Sequence, residues 1–196
     1  MYFLQFILTG FTISAPIGPM ALICIEKTLL KGQKEGLLTG LMIALADLTY
    51  TFVAVAGASS LIHFLTDYIR VFKILGGIFL IYLGFTFVLK KSKDLAVKPD
   101  LTTKVKDLFG TYLLTLSNPA TILMFMSLIF TIQSSTSTAN PFLVILGIFL
   151  GSILWWIFLV SSVSFSRSRL KPSQINFISQ LGGAALIIFG VYSSIF

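Results

Sequence analysis

Charge is so sparse along this chain, and so unevenly placed, that few folds remain open to it. Long apolar runs at about 2–25, 37–62, 70–89, 108–132, 141–163 and 175–195 are separated by short connectors that carry most of the charge. Each run is long enough for roughly 20 residues of helix, which at 1.5 Å per residue crosses a hydrocarbon core of ~30 Å. Only 11% of residues are charged, 56% are hydrophobic and the mean hydropathy is +0.97. A soluble domain of 196 residues needs far more polar surface than this. The expectation is an all-α integral membrane protein with six transmembrane helices, in which the lipid bilayer is the first partner.

The formal net charge of +7 raises nucleic acid as a partner. The basic residues sit in short connectors, with no basic helix, zinc spacing or stacking motif beside them, so no nucleic-acid interface is expected. Juxtamembrane lysines and arginines facing anionic lipid account for them. Their distribution sets an orientation. Lys27, Lys31 and Lys34 lie in the first connector, and Lys90, Lys91, Lys93, Lys98, Lys104 and Lys106 in the third. Arg167, Arg169 and Lys171 lie in the fifth, while the opposite side carries only Arg70 and Lys73. The positive-inside rule places the twelve in the cytoplasm and both termini on the non-cytoplasmic side of the inner membrane. No Lys or Arg precedes Lys27, so the start lacks the basic region of a cleaved signal peptide.

The two halves resemble one another. Gly10 and Pro19 match Gly110 and Pro119 at an offset of 100. Leu75, Gly76, Gly77 and Gly84 match Leu181, Gly182, Gly183 and Gly190 at an offset of 106. Gly40 and Ala44 stand as Gly147 and Gly151 do, offset 107. Three spans per half reverse the entry side of the second copy, which is the inverted repeat of many secondary transporters. The single domain, 1–196, thus divides into repeat one at about 2–89, a cytoplasmic loop at about 90–107 and repeat two at about 108–196.

Two features point to a site. Ser14-Ala15-Pro16-Ile17-Gly18-Pro19 lies deep in span one, where two prolines around a glycine remove backbone donors and break the helix. Asn118-Pro119, with Ser117 beside it, stands at matching depth in span four. Freed backbone groups there need protein, water or solute, and paired breaks in corresponding spans point to a midplane binding site. Asp47 is the one carboxylate in the middle of any span, with Thr49 and Tyr50 as neighbouring hydroxyls. Ionised there it costs at least ~2.5–3.5 kcal/mol, so it must be protonated, paired with a cation or wetted. Binding a solute ammonium and carrying a proton both fit. The substrate or coupling set is therefore Asp47, Tyr50, Pro16, Gly18, Pro19, Ser117, Asn118 and Pro119. Glu26 and Lys27, adjacent at the cytoplasmic end of span one, read as a local pair, and Trp155 and Trp156 as mid-span packing.

No enzymatic constellation is present: no Gly-x-Ser-x-Gly, no Walker loop and no His-Glu-x-x-His. With one histidine, His63, and one cysteine, Cys24, neither a metal site nor a cofactor is expected. An exporter of a small solute is the leading reading. A related-fold channel or metal-ion exporter, and a non-transporting membrane scaffold, are the alternatives.

The chain resembles the LysE/RhtB family of amino-acid exporters. The likeness lies in Ala15-Pro16-Ile17-Gly18-Pro19 with Glu26 to Gly40 following, Ala44-Leu45-Ala46-Asp47, and Ser117-Asn118-Pro119-Ala120. Leu75-Gly76-Gly77 to Tyr82-Leu83-Gly84 before a basic loop fits as well. The resemblance covers nearly the whole chain and implies six spans, efflux driven by the proton-motive force, an amino acid as substrate and assembly as a homodimer. Two positions depart from the family habit. Met20 and Ala120 follow the two Pro-containing motifs where relatives often carry polar or basic residues.

Overall fold

The computed structural model describes residues 2–16, 18–55, 67–89, 101–118, 121, 125, 140–167 and 169–195. Among them the regular structure is helical: α1 (Tyr2–Ser14), α2 (Pro19–Lys31), α3 (Gln33–Val55), α4 (Ile69–Leu89), α5 (Leu101–Ser117), α6 (Pro141–Arg167) and α7 (Pro172–Ile195). Gln33–Val53, Pro141–Arg167 and Ser173–Tyr192 are each long and apolar enough to cross a bilayer. Phe3–Ser14 and Pro19–Lys31 form a further candidate span, bent by 82° at its break. Most of the connector 59–70, the loop 90–100 and span four beyond Asn118 lie outside the described residues, apart from Thr121 and Phe125.

The break forms where the prolines require it. α1 ends at Ser14, and the Gly18 N–H donates back to Pro16 O at 2.9 Å. Gly18 then caps α2 in an extended conformation, with Pro19 at the first helical position, where a missing N–H costs nothing. α2 stops at Gly32, whose φ of 99° favours glycine, and α3 starts at Gln33. The Arg167 guanidinium at the end of α6 donates from Nε to Leu29 O at 2.7 Å, satisfying a carbonyl of the last turn of α2.

Helices outrun the apolar stretches that announced them. α3 begins at 33 instead of 37, α5 at 101 instead of 108, and α7 at 172 instead of 175. The added residues, among them Lys34, Glu35, Lys104 and Lys106, are good helix formers that carry the helices past the apolar stretches. Residues 101–107, expected as loop, are thus the first turns of α5.

α2 lies at the centre. Its Met20, Ala21, Ile23 and Cys24 pack with Ile43 and Ala44 of α3, Leu80 of α4, Leu114 of α5, Trp156 and Val160 of α6, and Leu186 of α7. Around this core the large apolar side chains face outward. Phe52, Phe142, Phe158 and Ile188 are each more than half exposed, a reversal of soluble packing that lipid requires. α6 makes the point within one helix. Val144, Gly147, Ile148, Gly151, Ser152, Trp156 and Val160 form the buried stripe, and Leu154, Ile157 and Phe158 face out. Small residues on the packed face let backbones approach closely.

The pairing of α4 with α7 repeats itself internally. A Cβ on Gly84 would lie 2.6 Å from Gly183 O and 3.0 Å from Ile187 N. A Cβ on Gly190 would lie 2.5 Å from Gly77 O and 3.0 Å from Ile81 N. Each member of the second contact is its counterpart in the first shifted by 106 residues, so the two helices cross as local two-fold copies. The contacts run in opposite sequence directions, which makes α4 and α7 antiparallel. By the same reasoning α3 and α6 are antiparallel, through Gly36 against Val160 and Gly40 against Trp156. α3 and α5 run parallel, through Thr49 with Tyr112 and Tyr50 with Leu116.

Candidate functional site

Asp47 is buried, at 4% exposure, halfway along α3. Its Oδ2 accepts hydrogen bonds from Ser152 Oγ of α6 at 2.7 Å and from Ser14 Oγ, the last residue of α1, at 3.2 Å. Among the described residues nothing donates to Oδ1, and no cation forms a salt bridge with the carboxylate. A buried carboxyl group whose partners among the described residues are neutral hydroxyls is the central feature of the site.

Three residues further, Tyr50 is also buried, and its hydroxyl donates to Leu116 O. The sequence explains why that carbonyl is free to accept. α5 ends at Ser117, so the carbonyls of its last turn lack intrahelical partners. Pro119 brings no N–H to Thr115 O, and the Asn118 N–H takes that place at 3.2 Å, closing the end as a 3₁₀ turn. Leu116 O, next in line, is taken by Tyr50. The Tyr50 ring also stacks on Phe125, with centroids 5.3 Å apart. Thr115 Oγ1 donates to Thr111 O at 2.8 Å and lies 3.1 Å from Sδ of Met20, which immediately follows Pro19.

The two interruptions and the carboxylate therefore meet. Ser14 from before the first break, Met20 from after it, Asp47 and Tyr50 from α3, and Thr115 to Asn118 from the end of α5 are joined by the bonds and contacts just given. Pro19 and Asn118 are buried, Gly18 and Ser117 half-buried, and Pro16 is exposed at the bend. Pro119 lies outside the described residues. Ser152 was missed by the sequence reading. Its signal was available, as a lone hydroxyl beside Gly151 inside a long apolar run, but nothing in the sequence pairs it with a carboxylate 105 residues away. One turn further along α6, Trp155 and Trp156 have buried indole N–H groups without hydrogen-bond partners.

A second polar feature lies toward the lysine-rich ends of α2 and α5. A cavity of about 380 Å³ opens between α2, α4 and α5, with Glu26, Lys27, Lys31, Lys106 and Asp107 among its lining residues. Lys27, read from the sequence as a local partner of Glu26, reaches across to donate to Thr111 Oγ1 at 3.0 Å. Lys31 bridges to Asp107 at 3.2 Å. Among the described residues no group of three or more His, Cys, Asp or Glu side chains is placed to hold a metal ion.

Helices apolar on their outer faces, a broken span and a buried carboxylate at the break define a multi-pass membrane protein built around an internal polar site. A family model described as LysE type translocator matches residues 11–195. The chain belongs to this family of membrane translocators, as the motifs of spans one, two and four led us to expect. It is similar to the putative amino acid efflux protein YcgF of Bacillus subtilis (strain 168), 27% identical over 198 residues, covering 97% of this chain and 93% of that one. It is also similar to the leucine efflux protein of Enterobacter sp. (strain 638), 27% identical over 181 residues, covering 88% and 84%. The uncharacterized membrane protein YahN of Escherichia coli (strain K12) is 27% identical over 184 residues, covering 89% and 80%. No solved structure matches the chain.

Proposed function

We propose that this chain is a secondary transporter that exports an amino acid or a similar small zwitterion across the cytoplasmic membrane, driven by the proton-motive force. The observation that carries the reading is Asp47, a buried carboxylate beside a helix break whose Oδ2 accepts from two hydroxyls and which, among the described residues, has no ion-pair partner. An ionised carboxylate at mid-membrane costs ~2.5–3.5 kcal/mol on insertion scales. A hydrogen bond to a charged group contributes about 1.5–3 kcal/mol. Two such bonds, about 3–6 kcal/mol together, balance the cost at the low end of that range, without the commitment of a salt bridge. Near balance is what a group needs in order to gain and lose a proton, or a solute ammonium, during each cycle. The names of the B. subtilis and Enterobacter relatives, which specify amino-acid and leucine efflux, support the solute class.

The proposed architecture is six spans in two inverted three-helix repeats. The duplicated α4–α7 contact and the directions of α3, α5 and α6, parallel for the first two and reversed for the third, support it. The lysine-rich ends of α2 and α5 then face the cytoplasm, and both termini lie outside it. We place the protein as a homodimer in the inner membrane, with the two halves rocking about the interrupted segments in alternating access. The test is efflux from amino-acid-loaded proteoliposomes under an imposed proton gradient. Asp47→Asn keeps the shape of the side chain and is expected to insert normally while losing at least nine-tenths of the wild-type rate. Efflux by this variant at the wild-type rate would refute the assignment.

A further inference from the structure

We propose that the cavity between α2, α4 and α5 is a solute-binding site, separate from the Asp47 centre, that receives a small zwitterion. Its carboxylate would lie on the Lys27 ammonium and its own ammonium on the Asp107 carboxylate. The inference rests on the export reading above and says where the solute first binds.

The state of Lys27 is the starting point. Its side chain is half-buried in the cavity wall, and its ammonium donates to a neutral hydroxyl, Thr111 Oγ1. Lys27 takes part in no salt bridge among the described residues. A cation withdrawn from water is normally paired with an anion. Here the partner is a hydroxyl that is itself donating to Asp107 O at 2.9 Å. Asp107 acts on the Lys27 ammonium only through space, and a visiting carboxylate would supply the direct pair. One turn away along α5, Asp107 is exposed and already holds Lys31 through Oδ2. A carboxylate accepts several donors, so an added ammonium does not require that bridge to break. Beside Glu26, Lys31 and Lys106, the Lys27 ammonium and the Asp107 carboxylate thus face one cavity from neighbouring helices, in the complementary form to an α-amino acid.

Size and surroundings agree. About 380 Å³ falls within the range of small-molecule sites. Ile23, Leu30, Leu83 and Leu114 supply an apolar wall for a side chain. The placement is also right for a first stop. Along α5 the cavity reaches Leu114, and the next residues, Thr115 and Leu116, contact Met20 and Tyr50 of the Asp47 centre. Thr111 and Leu116 are five positions apart, roughly 7.5 Å along a helix.

The experiment uses inside-out membrane vesicles carrying the full chain, which take up what the cell would export. The twenty standard amino acids are tested singly as radiolabelled probes. For the one taken up fastest, competition by its methyl ester, which lacks the carboxylate, is compared with competition by the free acid. In the wild type the ester is expected to compete at least tenfold less well. In Lys27→Gln that ratio falls to within about twofold of unity, whereas Lys27→Arg keeps it. Asp107→Asn does the same to discrimination against the N-acetyl derivative. A ratio unchanged in an inserted Lys27→Gln protein overturns the inference and leaves the export reading intact. Wild-type vesicles that accumulate none of the amino acids overturn both. Should Lys27→Gln fail to insert, a Thr86→Cys protein in a Cys24→Ser background decides. The transported amino acid must slow its reaction with a membrane-impermeant maleimide, and absence of protection overturns the site.

Discussion

The α4–α7 crossing offers a direct test of the repeat, because it holds two copies of one contact and a control beside them. An alanine methyl at Gly190 would meet Gly77 O at 2.5 Å and Ile81 N at 3.0 Å, and one at Gly84 would meet Gly183 O at 2.6 Å and Ile187 N at 3.0 Å. Ordinary carbon contacts begin near 3.5 Å, and the obstructing atoms are backbone, so the helices themselves must separate. Overpacking of this kind costs about 1–3 kcal/mol. Replacing a helical glycine by alanine also brings a gain of up to about 1 kcal/mol in soluble hosts. Gly182 isolates the propensity gain: it lies in the same helix as Gly190, and a Cβ there meets nothing within 4 Å. Subtracting Gly182→Ala from Gly190→Ala removes the propensity gain and leaves the full steric cost of about 1–3 kcal/mol. Reversible unfolding in mixed micelles measures all three variants. Gly84→Ala and Gly190→Ala should be destabilised relative to Gly182→Ala and agree with each other within about 0.5 kcal/mol, the usual spread of independent sites. Three indistinguishable variants would refute the close crossing, and unequal losses at Gly84 and Gly190 would refute its two-fold character.

Two further substitutions probe the buried centre. Ser152→Ala removes the 2.7 Å donor to Asp47 and should cost about 1.5–3 kcal/mol, the range for a bond to a charged acceptor. In the Asp47→Asn background the loss should shrink by at least half, and a double-mutant cycle on unfolding free energies that shows additivity would deny the coupling. Tyr50→Phe strands Leu116 O at the end of α5, and leaving a buried acceptor unpaired costs about 1–3 kcal/mol. A melting temperature equal to wild type would show that water or another donor serves that carbonyl.

What could be read in advance depended on whether the cause was local. The break at Pro16–Pro19 was legible because proline acts on its own backbone and its immediate neighbours. The carboxylate was legible because Asp47 is conspicuous in an apolar run whatever surrounds it. Helix ends were less so, since hydropathy reports where the apolar stretch stops while Lys34 and Lys104 continue the helix past it. Partners supplied by packing were not legible at all. Ser152 finds Asp47, Tyr50 finds Leu116 O, and Lys27 leaves its sequence neighbour Glu26 for Thr111, only because α2, α3, α5 and α6 lie side by side. The cavity had no signal in the sequence for the same reason. Its lysines read as basic residues of connectors, whereas Lys27 and Lys31 lie on α2 and Lys106 on α5, and the helix that brings Asp107 among them begins within residues taken for loop.

The two charged positions share one design, and that bears on transport more than on stability. Asp47 is held by the hydroxyls of Ser14 and Ser152, and Lys27 by that of Thr111. Breaking a buried ion pair by removing one partner costs about 3–5 kcal/mol, because a bare charge remains. A charge resting on hydroxyls can be transferred to a solute for less, since the hydroxyls keep neighbouring carbonyls as acceptors when the solute takes over. Thr111 and Thr115 show this arrangement already, each donating to the carbonyl four residues back. On the proposed reading, an anion-accepting position and a cation- or proton-accepting position lie in sequence along α5, with Met20 and Thr115 between them. Met20 is the natural barrier there. It is unbranched and easily repacked, it follows the broken segment directly, and a change in the 82° bend that moves α2 carries it toward or away from Thr115.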